Sequence, residues 1–174
     1  VDIIKEHSKL FESGSKYLDD EVLDLSNDKF VLVTCHRREN ILNEDSFKKI
    51  TSLLNSIDDR KVIFPMGYKT QEILKNSSIS LNNNIKIIDP IGYLEFMYLL
   101  KKADYVATDS GTVVEEACIL NVPSIQMRYS TERPEVYDVE ASVKFDPTSN
   151  NNFGHIIDKV NKLKKGWKNP FGDG

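Results

Sequence analysis

The segment VLVTCHRREN, residues 31–40, contains the transition on which the predicted fold depends. Residues 31–34 are apolar or β-branched and predict a short strand buried in a sheet. The next residues are charged, since His36, Arg37, Arg38 and Glu39 follow with no Gly or Pro among them. A buried strand that leads straight into basic groups indicates that its carboxyl end lies at a polar surface, and the other strands indicate which surface.

Five further runs of apolar and β-branched residues have the length of short buried strands. Together the predicted strands are residues 30–34, 61–64, 85–88, 105–108, 124–127 and 142–145. Between them, apolar residues three or four positions apart predict helices over residues 47–57, 70–76, 94–102, 113–120 and 152–165. Alternating strands and helices are typical of βαβ units. We therefore predict an α/β fold, a doubly wound Rossmann-like parallel sheet with helices on both faces.

The length of 174 residues fits one domain with its own core. We divide residues 1–174 into an opening helix and linker (1–28), a core (29–166) and a tail (167–174). The first helix is predicted to end at Gly14, and the acidic segment YLDDEVLDLSND, residues 17–28, is predicted to be a loop.

The composition excludes several classes of partner. Hydrophobic residues make up 40% and charged residues 29%, and the formal net charge is −4. With no long apolar run, no signal-peptide pattern and no excess of basic residues, we expect a cytoplasmic protein that binds neither membrane nor nucleic acid. Two cysteines and three histidines are too scattered for a zinc site or a disulfide framework, so we expect no metal and no cofactor.

Polar segments follow five of the predicted strands: CHRREN, PMGYK, DPIGY, DSGT and RYSTERPE. In an open parallel sheet all the carboxyl ends lie at one edge, and ligands bind there. The basic residues in these segments are His36, Arg37, Arg38, Lys69, Arg128 and Arg133. So many cations at one edge of an acidic chain predict an anionic small-molecule ligand.

The segment TDSGTVVEEA, residues 108–117, is the sharpest of these signals. It places Ser110, Gly111 and Thr112 at a strand-to-helix junction, where free backbone N–H groups and the helix dipole can hold a phosphate. Glu116 lies just over one turn into the helix, within reach of ribose hydroxyls. An alternative stays open, because Thr112 and Glu115 have the spacing of a capping box, which needs no ligand.

The basic segments also have alternatives without a ligand. HRREN can be a solvated loop in which the arginines pair with Glu39 and Glu44, and His36 alone can be a hydrogen-bonded structural residue. RYSTERPE can be a loop closed by Arg133 with Glu132 or Glu135, with Pro134 opening a short helix.

Four motifs in fixed order resemble one known family. They are HRREN, DSGT with EEA at 115–117, RxxTERPE at 128–135 and NPFGDG at 169–174. The sequence resembles, over its whole length, the non-hydrolysing UDP-N-acetylglucosamine 2-epimerases and relatives acting on other UDP-2-acetamido sugars. The resemblance implies the C-terminal, UDP-binding half of a GT-B fold, with a missing N-terminal domain and a UDP-sugar substrate as partners. A second copy of the chain, in a homodimer, is a further candidate partner.

The resemblance also implies roles for single residues. His36 matches a histidine implicated in catalysis. The residues implied to bind UDP are Ser110, Gly111, Thr112, Glu116, Arg128 and Arg133. Further candidates for the cleft are Arg37, Arg38, Glu39 and Glu132.

The implied reaction inverts the carbon that bears the acetamido group, by elimination of UDP and re-addition on the other face. Its acid and base carboxylates come from the N-terminal domain, so we expect this chain alone to bind UDP weakly and to lack epimerase activity. Two departures from the family stand out. Thr112 replaces a second Gly, a variant associated with relatives working on other 2-acetamido sugars, which leaves the identity of the sugar open. PMG replaces PVH, so Gly67 stands where relatives have an activator-site histidine, which argues against allosteric activation by substrate.

Two other functions remain open. The nucleotide domain of a GT-B glycosyltransferase would use a similar fold and junction, but HRREN and TERPE together favour the epimerase family. A non-catalytic UDP-sugar-binding module is the third reading, and its bound state would look the same.

Overall fold

The computed structural model describes residues 2–131 and 133–172, which form one six-stranded sheet and ten α-helices. The strands are β1 Phe30–Thr34, β2 Lys61–Pro65, β3 Ile85–Ile88, β4 Tyr105–Thr108, β5 Ser124–Met127 and β6 Ser142–Phe145. The helices are α1 Asp2–Glu6, α2 Ser8–Phe11, α3 Asp20–Ser26, α4 Arg38–Ile41, α5 Glu44–Asn55, α6 Tyr68–Lys75, α7 Tyr93–Lys102, α8 Gly111–Ile119, α9 Glu135–Asp138 and α10 Phe153–Lys162.

All six strands run parallel, in the order β3-β2-β1-β4-β5-β6. Strand β1 is central, since Val31 lies opposite Val62 on one side and Tyr105 on the other. The winding direction reverses between β1 and β4, and ligand crevices occur at such points, outside the carboxyl ends of the strands. The predicted doubly wound parallel sheet is confirmed.

The sheet is buried on both faces. Phe30 and Leu32 of β1 belong to a core with the N-terminal helices and α7, whereas Val31 and Val33 belong to a core with α5 and α10. Each of these four side chains is fully buried. Burial on both faces explains why the strands read as continuous apolar runs rather than as an alternation of apolar and polar residues.

The N-terminal segment differs from its prediction. A single helix ending at Gly14 is wrong, because α1 and α2 are separate and a 3₁₀-helix, Glu12–Tyr17, runs through Gly14. A Cβ on Gly14 would lie 2.2 Å from the backbone oxygen of Leu94 in α7. The glycine therefore allows the close approach of two helices and does not end one.

The predicted acidic loop is also wrong, since its middle forms α3. Asp20 and Glu21 lie in the first turn, where negative charge favours a helix. Val22 is buried in the core, and Lys86 of β3 pairs with Glu21 at 2.9 Å. Helix α3 thus covers part of the sheet next to β2 and β3.

The end of the described chain packs back onto the sheet's helices. Helix α10 ends at Lys162, three residues before its predicted end. The indole N–H of Trp167 donates to the Cys118 carbonyl at 3.0 Å, and Phe171 packs against the cluster that includes Val114. Across residues 2–131 and 133–172, we find no helix with the length and hydropathy of a membrane span.

Candidate functional site

A buried carboxylate organises the carboxyl edge of the sheet. Asp109, directly after β4, is fully buried and accepts hydrogen bonds from the backbone N–H groups of His36 at 3.0 Å and Arg37 at 2.8 Å. The side-chain amide of Asn40 donates to the same carboxylate at 3.2 Å. One side chain thereby fixes the segment that follows β1 onto the end of β4.

Two further bonds join the strand ends at this edge. The hydroxyls of Thr34 and Thr108 are 2.7 Å apart, between β1 and β4. The Asn40 amide also donates to the Met127 carbonyl at the end of β5, at 3.1 Å. Because three strand ends are tied together, the groups that follow them occupy fixed positions.

The basic segment after β1 is partly helical. His36 is exposed, and its Nδ1 lies 3.4 Å from Oδ1 of Asp109. Arg37 donates from Nε to the Asp109 carbonyl at 2.8 Å, and its Nη1 lies 3.5 Å from Glu39. Arg38 is exposed at the start of α4. The Arg37–Glu39 pair of the alternative without a ligand is present, but Arg37 is also anchored to the end of β4 through the Asp109 carbonyl.

The junction between β4 and α8 leaves backbone donors at the sheet edge. Ser110 is the N-cap, and its Oγ accepts from the Val113 N–H at 3.3 Å. Gly111 and Thr112 occupy the first turn, whose N–H groups have no acceptor within a helix. The capping box predicted for Thr112 and Glu115 is wrong, because the helix begins before Thr112. These first-turn donors and the helix dipole suit an anion.

Glu116 lies one turn further along α8. Burial raises the pKa of its carboxyl, a hydrogen bond from Tyr93 opposes this shift, and the charge of Glu115 adds to it. The Tyr93 hydroxyl lies 3.5 Å from Glu116 Oε1. Tyr93 also lines a cavity of about 300 Å³, whose other lining residues are Pro65, Gly67, Pro90, Ile91, Gly92 and Phe96. An apolar cavity is therefore linked through one hydroxyl to the acceptor on α8.

The two arginines of the RYSTERPE segment differ in their surroundings. Arg128 is buried, 8% exposed, and lines a second cavity of about 350 Å³ together with Asn40. Arg133 donates from Nε to Glu115 at 2.7 Å, which attaches the loop to α8. The predicted pairing with Glu132 cannot be placed, since Glu132 lies outside the described residues, and helix α9 begins directly after Pro134.

The predicted residues therefore fall into connected groups along one edge. The Asp109 network holds His36 and Arg37 beside Ser110 and Gly111, whereas Glu116 of α8 lies next to Tyr93, the first residue of α7. Lys69 is exposed in the first turn of α6. Sequence reasoning missed the roles of Asp109 and Asn40, although both lie within the motifs DSGT and HRREN. For the aromatic residues from Tyr93 to Tyr98 the sequence favoured core packing, with one of them able to flank a base.

The cysteines are not candidates for nucleophilic chemistry. Burial raises the pKa of Cys35 well above its ordinary value, with a further contribution from the Asp109 charge, and burial raises the pKa of Cys118 to about 11. Both thiols are therefore protonated at neutral pH, and a thiol is a poor nucleophile. Within the part of the chain that the structure describes, no three His, Cys, Asp or Glu side chains gather as a metal site would need.

Comparisons with known proteins give one family. The family model of UDP-N-acetylglucosamine 2-epimerase matches residues 1–174. The UDP-N-acetylglucosamine 2-epimerases of Methanococcus maripaludis and Methanocaldococcus jannaschii are 39% and 38% identical to the chain, which is covered completely in both cases. The chain spans 49% of the length of each of these relatives.

A solved structure shows the same similarity in three dimensions. The crystal structure of the Methanocaldococcus jannaschii UDP-GlcNAc 2-epimerase in complex with UDP-GlcNAc and UDP superposes with a TM-score of 0.76 at 35% identity. The match covers 94% of this chain and 49% of that one. The fold of this chain is thus similar to about half of the protein chain in that complex.

Proposed function

The chain belongs to the UDP-N-acetylglucosamine 2-epimerase family, and we propose that it is the UDP-binding half of such an enzyme. The observation that carries the proposal is the start of α8. There, first-turn N–H groups, the acceptor Glu116 and the cavity next to Tyr93 follow one another along the carboxyl edge. This order matches the diphosphate, the ribose and the base of UDP.

The proposed pose places each part of UDP against a suitable group. The uracil enters the cavity lined by Ile91, Tyr93 and Phe96, which is apolar and of modest volume. The ribose hydroxyls donate to Glu116. The diphosphate receives hydrogen bonds from the backbone N–H of Gly111 and from the Ser110 hydroxyl, since the Ser110 N–H already donates to Thr108 Oγ1 at 3.0 Å. Arg133, held against α8 by Glu115, is the nearby cation of this pose.

The proposed reaction is an elimination followed by an addition. A base removes the proton from C2 of the sugar while the bond from C1 to the phosphate oxygen breaks, and its electron pair leaves with UDP. The developing charge on the diphosphate requires fixed donors. In the proposal, the protonated His36 ring and the α8 junction supply them, and UDP then adds back after C2 is protonated on the other face.

The proposed partner is a second domain that covers the carboxyl edge. Among the described residues, six large apolar side chains are more than half exposed. Two lie in the N-terminal segment, Ile3 and Tyr17, and four lie in segments that follow strands: Leu42, Tyr68, Tyr93 and Tyr129. Exposed apolar groups that lie together are typical of interaction surfaces. That domain would supply the base for C2. We further propose a homodimer and a cytoplasmic location, which sedimentation and cell fractionation of the natural protein would test.

The proposed substrate is a UDP-2-acetamido sugar, UDP-N-acetylglucosamine or a close relative. The exposed Thr112 lies in the first turn of α8, next to the donors that we assign to the diphosphate. Its side chain is therefore placed to contact the sugar end of the ligand. Comparing turnover of several such sugars by a complete enzyme that contains this half would identify the one it uses.

Isothermal titration of the chain with UDP tests the proposal. We expect saturable binding that Glu116→Ala weakens by about 1.5–3 kcal/mol, because charge-assisted hydrogen bonds to the ribose are lost. Asp158→Ala, which removes an exposed carboxylate from α10, is the matched control and should leave affinity unchanged. A folded chain that does not bind UDP, or equal affinity of the Glu116 variant, would contradict the pose.

A further inference from the structure

We propose that Asp109 is a positioning residue for His36, which selects the ring nitrogen that faces the ligand. Asp109 does not touch the ligand in this proposal. It acts by holding the Nδ1 side of the imidazole, so that Nε2 is presented at the sheet edge. The functional importance of this orientation rests on the proposed role of His36 beside the diphosphate.

The two oxygens of the Asp109 carboxylate have different neighbours. Oδ2 accepts from the backbone N–H groups of His36 and Arg37 at 3.0 and 2.8 Å, and from the Asn40 amide at 3.2 Å. Oδ1 lies 3.4 Å from Nδ1 of His36 and 3.3 Å from its backbone nitrogen. Oδ2 therefore takes the shorter main-chain bonds, whereas Oδ1 shares the His36 N–H and also faces the ring.

The chemistry of the carboxylate determines which nitrogen of the His36 ring carries the hydrogen. A carboxylate without a proton can only accept hydrogen bonds, so a contact from Nδ1 requires the hydrogen to be on Nδ1. In a neutral imidazole the other nitrogen, Nε2, is then an acceptor, and in the imidazolium both nitrogens donate. The separation of 3.4 Å is an ion-pair distance longer than a typical N–H···O hydrogen bond, and contacts of catalytic groups that are long in the free protein often tighten in the ligand complex.

The burial of Asp109 supports a role beyond attaching the main chain. A fully buried carboxylate is costly unless it is well hydrogen-bonded, and a neutral amide could accept the bonds that Oδ2 receives. What a neutral amide cannot do is accept a proton donor at both oxygen positions. In the imidazolium form, Oδ1 accepts from Nδ1 and Nε2–H is left to donate to the diphosphate.

Asp109→Asn separates the two functions of the side chain. With the amide oxygen in the place of Oδ2, the shorter main-chain bonds from His36 and Arg37 remain. The NH₂ group in the place of Oδ1 can no longer accept from Nδ1, nor take the longer bond from the His36 N–H. Asn40→Ala is the matched control, since it removes a donor from Oδ2 without changing the atom that faces the ring. We expect both variants to lose stability. Only Asp109→Asn should change the tautomer of the His36 ring.

Nitrogen NMR of the histidine rings, at a pH where all are neutral, measures the tautomer without any ligand. We expect the Nδ1-protonated form for His36 in the wild type and in Asn40→Ala, and the Nε2-protonated form in Asp109→Asn. His7 is an internal reference, because its Nδ1 lies 2.9 Å from the Ile3 carbonyl and must donate to it. His36→Gln assigns the signal.

The Nε2-protonated form of His36 in the wild type would overturn the proposal, even if the Asp109 variant failed to fold. An unchanged tautomer in folded Asp109→Asn would overturn it as well. UDP titration is the functional arm, in which Asp109→Asn should bind about 10-fold more weakly than Asn40→Ala. If the wild type does not bind UDP, the proposed function fails, whereas the tautomer still decides the role of Asp109.

Discussion

At the scale of single residues, Glu116 combines negative charge with burial. Burial is the largest cause that raises the pKa of its carboxyl in the folded protein. The folded state therefore binds a proton more readily than the unfolded chain, whose glutamate pKa is about 4.3. The free energy of unfolding thus decreases as the pH rises through the folded pKa, and this loss is absent below the unfolded value. The charge that would bind a ribose is thus unfavourable for the free protein.

Glu116→Gln should stabilise the chain at pH 7, because the substitution removes a partly buried charge. The increase in melting temperature should disappear at a pH below about 4, where the wild-type carboxyl is protonated in both states. Thermal unfolding followed by circular dichroism at the two pH values measures the difference. Glu72→Gln, at an exposed position of α6, is the control and should show no such pH dependence. Equal stabilisation at both pH values would show that charge is not the cause.

The sequence predicted the local part of the site and not the long-range part. Ser110, Gly111 and Glu116 could be placed because strand, glycine and helix follow one another in the chain. The role of Asp109 depends on His36 and Arg37, which are 73 and 72 positions away, so no local pattern contains it. The capping assignment failed by two residues because Ser110 and Thr112 are both of residue types that cap helices. Structure was needed to decide between them.

At the scale of elements, the strands were predictable and the N-terminal helices were not. A strand buried on both faces has a composition that no surface segment shares, so all six strands lie at their predicted positions within one residue. Helix α3 was taken for a loop because Asp and Glu dominate it. Its formation depends on Val22 reaching the core and on Lys86 pairing with Glu21, which are tertiary contacts.

Gly14→Ala tests the packing of the 3₁₀-helix against α7. The new methyl group would meet the Leu94 carbonyl, so the free energy of unfolding should decrease by about 1–3 kcal/mol. Gly154→Ala is the matched control, since its Cβ would have ordinary contact at 3.7 Å within α10. Alanine favours a helix over glycine, so that variant should gain up to about 1 kcal/mol. Urea unfolding measures both, and equal effects would refute the close-packing role.

At the scale of the whole molecule, the chain has one face that is poorly covered and rich in functional groups. The carboxyl edge carries His36, the start of α8 and the exposed Tyr68 and Tyr129. The family relatives are about twice as long as the chain. We therefore expect catalysis to depend on a second domain that closes over this edge.

Mixing the chain with the separately produced N-terminal half of the Methanococcus maripaludis relative tests this dependence. We expect no epimerisation of UDP-N-acetylglucosamine by the chain alone, and measurable epimerisation by the mixture. His36→Ala in the mixture should lower the rate by about 10²–10⁴-fold if the ring acts in proton transfer or charge stabilisation. Turnover by the chain alone would contradict the proposal, and an inactive mixture of folded halves that binds UDP would favour a binding module.

The strand order also constrains how the protein acquires its shape. Strands β1, β2 and β3 are neighbours in sequence and in space, so they can pair as soon as residues 30–88 have left the ribosome. The other edge of β1 has no partner strand until β4 is synthesised, about seventy residues later in the chain. Until then an unpaired apolar strand edge is exposed, which favours aggregation. The groups that we assign to the ligand come together only in this late step. Binding of a nucleotide therefore stabilises the completely folded sheet and does not stabilise an intermediate that contains only β1, β2 and β3.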